Sequence, residues 1–74
     1  MSRLPRVTGR ELILALTKAG FETVRVRGSH YHLRHADGRK TVIPAHGRET
    51  IGPGLLTRIL RSCDVTADQL RGLL

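Results

Sequence analysis

At Gly20 the apolar residues stop recurring every third or fourth position and begin to recur every second one, a change of period that tightly constrains the fold. Before Gly20, Leu12, Ala15, Leu16 and Ala19 share one face of a helix, whose period is about 3.6 residues. After it, Phe21-Glu22-Thr23-Val24-Arg25-Val26-Arg27 sets valines on one side and arginines on the other, the pattern of a half-buried strand. A helix running straight into a strand within 74 residues predicts one domain, 1–74, around one small core. With Phe21 and Tyr31 as the only aromatics, that core is expected to be aliphatic.

Thr8 and Glu11 stand three apart, the spacing of a capping box, so the first helix is expected to begin beside them and to close at Gly20. Residues 1–7, with Pro5 and two arginines, are expected to form a loose arm. Tyr31 and Leu33 continue the apolar side into a second strand, which sends His30, His32 and Arg34 to the opposite, open face. An antiparallel hairpin around Gly28 and Ser29 would bring Arg25 and Arg27 close to those histidines. Asp37-Gly38 marks a second tight turn and Arg39 to Pro44 a third strand, in which alternation leaves open whether Val42 or Ile43 points inward. Ala45 to Gly54 reads as a loop, and Gly52-Pro53-Gly54 leads into a helix with a stripe of Leu56, Ile59, Leu60 and Cys63. Arg58 and Arg61 fall off that stripe and are expected in water. Thr66 and Gln69 repeat the capping-box spacing ahead of a brief last helix bearing Leu70, Leu73 and Leu74. The predicted fold is an α+β two-layer sandwich, α-β-β-β-α with a short C-terminal helix, its helices on the valine face.

Thirteen Lys and Arg against six Asp and Glu leave a net charge of +7, and eleven of the thirteen are Arg. Arginine presents a planar fork that matches phosphate oxygens, so this bias favours nucleic acid as a partner over mere solubility. Arg25, Arg27, Arg34, Arg39 and Lys40 are the candidate RNA-binding side chains. The single cysteine, Cys63, excludes an internal disulfide and sits among apolar neighbours at helical spacing, which makes it core rather than nucleophile. No apolar run approaches membrane-spanning length and the N-terminal segment lacks a secretory core, so a cytoplasmic protein is expected.

The stretch Gly28-Ser29-His30-Tyr31-His32 delivers an imidazole to the start of a strand beside positive charge, and imidazole is the side chain best able to move protons near neutral pH. His30 and His32 are two apart on a strand and share a face. A metal site completed by His35 or His46 is disfavoured, because no carboxylate or cysteine is placed nearby and alternation turns His35 away. No metal or other cofactor is therefore expected. Ser29 reads as a turn hydroxyl; His46, after Pro44, either touches substrate or closes its loop.

From about Gly9 to Leu74 the chain resembles the HicA family of small bacterial mRNA-interferase toxins, also described as YcfA-like proteins. The resemblance rests on Ala19-Gly20-Phe21, Arg27-Gly28-Ser29-His30-Tyr31-His32, Thr41-Val42-Ile43-Pro44-Ala45-His46, and Glu49-Thr50-Ile51 leading through Gly54 into Leu55-Leu56-Thr57-Arg58-Ile59-Leu60. It implies a double-stranded-RNA-binding-domain-like fold, a ribonuclease activity dependent on the histidine of the Gly-Ser-His motif, here His30, and neutralisation by a HicB-type antitoxin. The family's first helix lies closer to its N-terminus than here, so residues 1–6 inherit no role. Because the motif varies in the number of adjacent histidines, His32 stays a candidate beside Gly28 and Ser29 as a supporting residue.

Cleavage of RNA without a metal needs a base for the 2′-hydroxyl, cations for the phosphorane charge and a proton for the leaving 5′-oxygen. His30 is the candidate acid–base group, with Arg25, Arg27 and Arg34 as charge stabilisers. From a different class, the same plate would serve as a non-catalytic module that binds RNA or DNA by charge, with His30 one more polar contact.

Overall fold

A computed structural model of the chain describes residues 3–74. Helix α1 (Gly9–Lys18) starts at Thr8, where the hydroxyl accepts from the Glu11 N–H and the Glu11 carboxylate accepts from the Thr8 N–H. Three strands follow, β1 (Phe21–Arg27), β2 (His30–His35) and β3 (Lys40–Pro44), antiparallel and in the order β1-β2-β3. Helix α2 (Pro53–Cys63) then runs to Asp64, and α3 (Ala67–Leu73) starts from a second capping box, Thr66 with Gln69. The chain thus adopts the α-β-β-β-α order with a short C-terminal helix that its periodicities predict. No helix among the described residues is long and apolar enough to cross a membrane.

The core lies between the sheet and the helices. It takes Leu12, Ala15 and Leu16 from α1, Phe21, Leu33 and Ile43 from the sheet, Leu56, Ile59, Leu60 and Cys63 from α2, and Leu70 from α3. Among the described residues no polar or charged side chain is buried with them. Of the two residues left open in β3, Ile43 points inward and Val42 is 40% exposed.

Two expectations are corrected. The β1 valines do not enter the core: Val24 and Val26 are 57% and 49% exposed, although Val26 stands opposite Tyr31 on the helix side, and Phe21 is the buried residue of the strand. Val24 itself falls in a break in register between Thr23 and Arg25. Under strict alternation Phe21 would share a side with Arg25 and Arg27, so burying the ring would bury two guanidinium groups. One extra residue, Val24, resolves the conflict. Thr23 stays opposite Leu33, while Arg25 and Arg27 fall opposite His32 and His30 on the other face.

The N-terminal arm is not loose where it can be followed; Met1 and Ser2 lie outside the described residues. Val7 is buried, its carbonyl accepts from the Ile51 N–H at 2.8 Å, Thr8 and Thr50 form an isolated bridge, and Leu4 packs on the core. A core this small gains from every apolar side chain within reach, and burial of a valine contributes roughly 1.5–3 kcal/mol. At the start of α1, Gly9 lies so close to β3 that a Cβ there would stand 2.1 Å from the Pro44 carbonyl oxygen. That contact seats the end of β3, and with it the segment leading to His46.

Candidate active site

The β1–β2 turn uses Gly28 in the left-handed region (φ +56°), a conformation glycine adopts without steric cost. His30 is the first residue of β2 and stands between Arg27 on β1 and Pro44 on β3. Two residues on, His32 stands between Arg25 and Val42, and Arg34 between Glu22 and Lys40. Residues directly opposite in an antiparallel sheet project to the same side. The register therefore gathers Arg25, Arg27, His30, His32, Arg34 and Lys40 on the open face, away from Leu33 and Ile43. His30, the three arginines and Lys40 are exposed and His32 is half-buried.

This face is not flat. Together with the outer flank of α2 it borders a basin of about 840 Å³, whose floor includes Arg25, His30, His32 and Lys40 and whose wall is Leu55, Arg58 and Ser62. Arg58 is exposed, as its place off the helix stripe predicts, yet it faces this basin and adds a cation from a second element.

A second imidazole stands at the turn end. The Ser29 carbonyl accepts from the Ala45 N–H at 2.8 Å, and Ser29 Oγ lies 3.0 Å from His46 Nε2. These bonds bring the exposed His46 ring to 6.2 Å from that of His30, centroid to centroid, with the planes nearly perpendicular at 86°. Ser29 is thus more than a turn hydroxyl: it ties the Gly-Ser-His turn to the segment after β3. The pairing follows from a contact between the β1–β2 turn and the segment after β3, residues 17 apart in sequence, which no local pattern announces.

Two residues of similar chemistry are not part of this group. His35 lies on the helix side, its ring edge-on to Phe21 at 5.1 Å and its Nδ1 3.1 Å from Asp37. Arg39, expected to bind RNA, has its guanidinium engaged within the chain. Its guanidinium sits 5.2 Å over the Phe21 ring, pairs with Asp37 at 2.8 Å and donates to the Cys63 carbonyl at the end of α2. Such a guanidinium fastens the start of β3 to the end of α2. The backbone N–H of Arg39, its side chain and its charge hold the Asp37 carboxyl below the ordinary carboxylate value. Burial pushes the Cys63 thiol up to about 11, so it is core and carries no thiolate near neutral pH. Among the described residues no three His, Cys, Asp or Glu side chains gather into a metal-holding group.

Comparison with known proteins adds one finding. A family model described as "HicA toxin of bacterial toxin-antitoxin" matches residues 9–65, which take in α1, the whole sheet, the His46 segment and α2. No curated protein matches the sequence.

Proposed function

Because the chain belongs to the HicA toxin family of bacterial toxin–antitoxin systems, we propose that it is a cytoplasmic endoribonuclease that cleaves mRNA without a metal, with His30 moving protons at the scissile ribose. In this reading the 2′-hydroxyl attacks the adjacent phosphorus as His30 assists the proton transfer, and the products are a 2′,3′-cyclic phosphate and a 5′-hydroxyl. Arg27 and Arg25, on the strand beside His30 and His32, offset the charge that builds on the phosphorane oxygens. Arg34, Lys40 and Arg58 hold neighbouring phosphates along the basin. Positioned proton transfer contributes a factor of roughly 10² to 10⁴, and charge and orientation supply the rest.

The observation that carries this reading is His30 itself: an exposed imidazole on the floor of a cationic basin, on a strand whose register puts arginines at its side. A HicB-type antitoxin would silence the toxin by covering that basin, and a net charge of +7 favours an acidic covering surface.

Replacing His30 with Ala tests the chemistry. Decay of purified RNA and growth arrest should both be lost while RNA binding persists, and wild-type cleavage should survive EDTA. Products ending in 5′-phosphate, or unchanged decay by the variant, would refute the route. The non-catalytic reading has its own support in the cations that line the basin beyond His30; it predicts salt-dependent binding by wild type and variant alike, with no cleavage by either.

A further inference from the structure

We propose that His46 is the second proton-transfer group of this site: it protonates the leaving 5′-oxygen while His30 takes the proton of the 2′-hydroxyl. The inference rests on the ribonuclease reading above and assigns a role to a residue that reading leaves unused.

An in-line displacement at phosphorus puts the entering and leaving oxygens on opposite sides of the phosphoryl group. One ring on one side cannot serve both in a single step. Two rings must flank the phosphate, near enough for a hydrogen bond to each oxygen and far enough apart to admit it. His30 and His46 meet that condition with centroids 6.2 Å apart, planes crossed at 86° and both side chains exposed.

His46 is also held. Ser29 Oγ lies 3.0 Å from its Nε2, the Ser29 carbonyl takes the N–H of the residue before it, and Gly9 seats the Pro44–Ala45 backbone. A hydroxyl oxygen can accept the Nε2–H of an imidazolium, which leaves Nδ1–H as the ring's second donor. This suits His46 to the acid role and leaves His30, beside Arg27, as the base.

The step balances. The 2′-O–P bond forms as the P–O5′ bond breaks; one proton passes from the 2′-hydroxyl to His30 and another from His46 to the 5′-oxygen. The pair ends with its protons exchanged and resets through solvent.

A leaving group that needs no proton separates this role from a structural one. The full chain and its His46→Ala, His46→Gln and His30→Ala variants would be given an RNA oligonucleotide with an ordinary linkage, and the same oligonucleotide with sulfur at the bridging 5′ position. Thermal melts would show that each variant folds, and His46→Gln keeps a polar group within reach of Ser29. Both His46 variants should cleave the ordinary linkage about 10²-fold or more slowly, recover near wild-type rates on the sulfur linkage, and lose the alkaline fall of the pH–rate profile that deprotonation of an acid produces. His30→Ala should be slow on both substrates.

His46 variants that cleave the ordinary linkage at the wild-type rate, or that are slowed equally on both linkages, would overturn the proposal and leave His46 a loop anchor. Rescue by sulfur of His30→Ala instead would overturn the assignment of roles. A His30→Ala variant fully active on ordinary RNA would sink the ribonuclease reading itself, a separate failure.

Discussion

Two places in this small chain combine histidine with arginine, and they have opposite fates. At the turn end of the open face, His30, His46 and Arg27 stand exposed, and the one carboxylate that the sheet register puts on that face, Glu22, pairs opposite Arg34 at the far end. Beneath the sheet, His35 accepts the Asp37 N–H at Nδ1 beside the carboxylate that Arg39 binds, and both side chains lie against the Phe21 ring. Residue type does not separate the two groups. What separates them is whether a carboxylate and an apolar ring already occupy the cation and the imidazole. An occupied pair fastens the fold, and an unoccupied pair is available to a phosphate.

The largest expected effect follows from exchanging the same substitution between the two places. His30→Ala should reduce RNA cleavage by roughly 10²- to 10⁴-fold and leave the melting temperature nearly unchanged, since the ring is exposed. His35→Ala should do the reverse, lowering the melting temperature through the lost contacts with Phe21 and Asp37 while cleavage per folded molecule holds. Equal loss of cleavage in both, measured on purified RNA beside thermal melts, would erase the distinction.

The support beneath the open-face pair comes next. Gly9→Ala forces a Cβ into the Pro44 carbonyl oxygen, and overpacking against backbone costs about 1–3 kcal/mol. Gly54, in α2, meets nothing within 4 Å of an added Cβ, so Gly54→Ala should instead stabilise by about 0.5–1 kcal/mol through helix propensity. Denaturant titration of the two variants should give shifts of opposite sign. If Gly9→Ala is neutral, the contact that seats the His46 segment is looser than the geometry requires.

How much of this contrast the sequence reveals depends on how far each determinant reaches. The helices, their capping boxes and the hairpin are set by neighbours within four residues, and they can be read directly. Alternation within β2 likewise separates His30 and His32 from Tyr31 and Leu33. The bulge at Val24 is illegible as a pattern, because the valine–arginine alternation is real and only the burial of Phe21 overrules it. Arg39 lies just before β3, where no period assigns a side. Its direction is decided by Phe21 and by the Cys63 carbonyl, 24 residues away. His46 follows a proline in a loop, and only the contact with Ser29 shows that it stands beside His30.

Arginines sharpen the comparison at smaller amplitude. Arg39→Ala removes a charged donor from the Cys63 carbonyl and a cation from the Phe21 face. A hydrogen bond to a charged group contributes about 1.5–3 kcal/mol, so the variant should melt lower yet bind RNA with the wild-type salt dependence. Arg34→Ala should keep the melting temperature and reduce the slope of log affinity against log salt by about one unit. A salt slope that falls for Arg39→Ala and stays for Arg34→Ala would reverse the assignment of the two faces.

The smallest effect tests what occupies the lower pair. The Asp37 carboxyl is held below its ordinary value of 3.8, chiefly by the backbone N–H of Arg39 and then by its side chain. A carboxyl more acidic in the folded chain than in the unfolded one adds stability above the unfolded value and loses it as pH falls through the lower, folded value. Asp37 is solvent-exposed, so water screens the pairing and the contribution is small. Wild type and Asp37→Asn, melted at intervals between about pH 2 and pH 6, should therefore have melting temperatures that converge at the acid end and separate above the ordinary value, with the wild type higher. A constant gap across that range would mean that shape and hydrogen bonding, rather than the charge, keep Arg39 and His35 from the solvent, and the rule that an occupying carboxylate divides the two places would have to be replaced by one of packing.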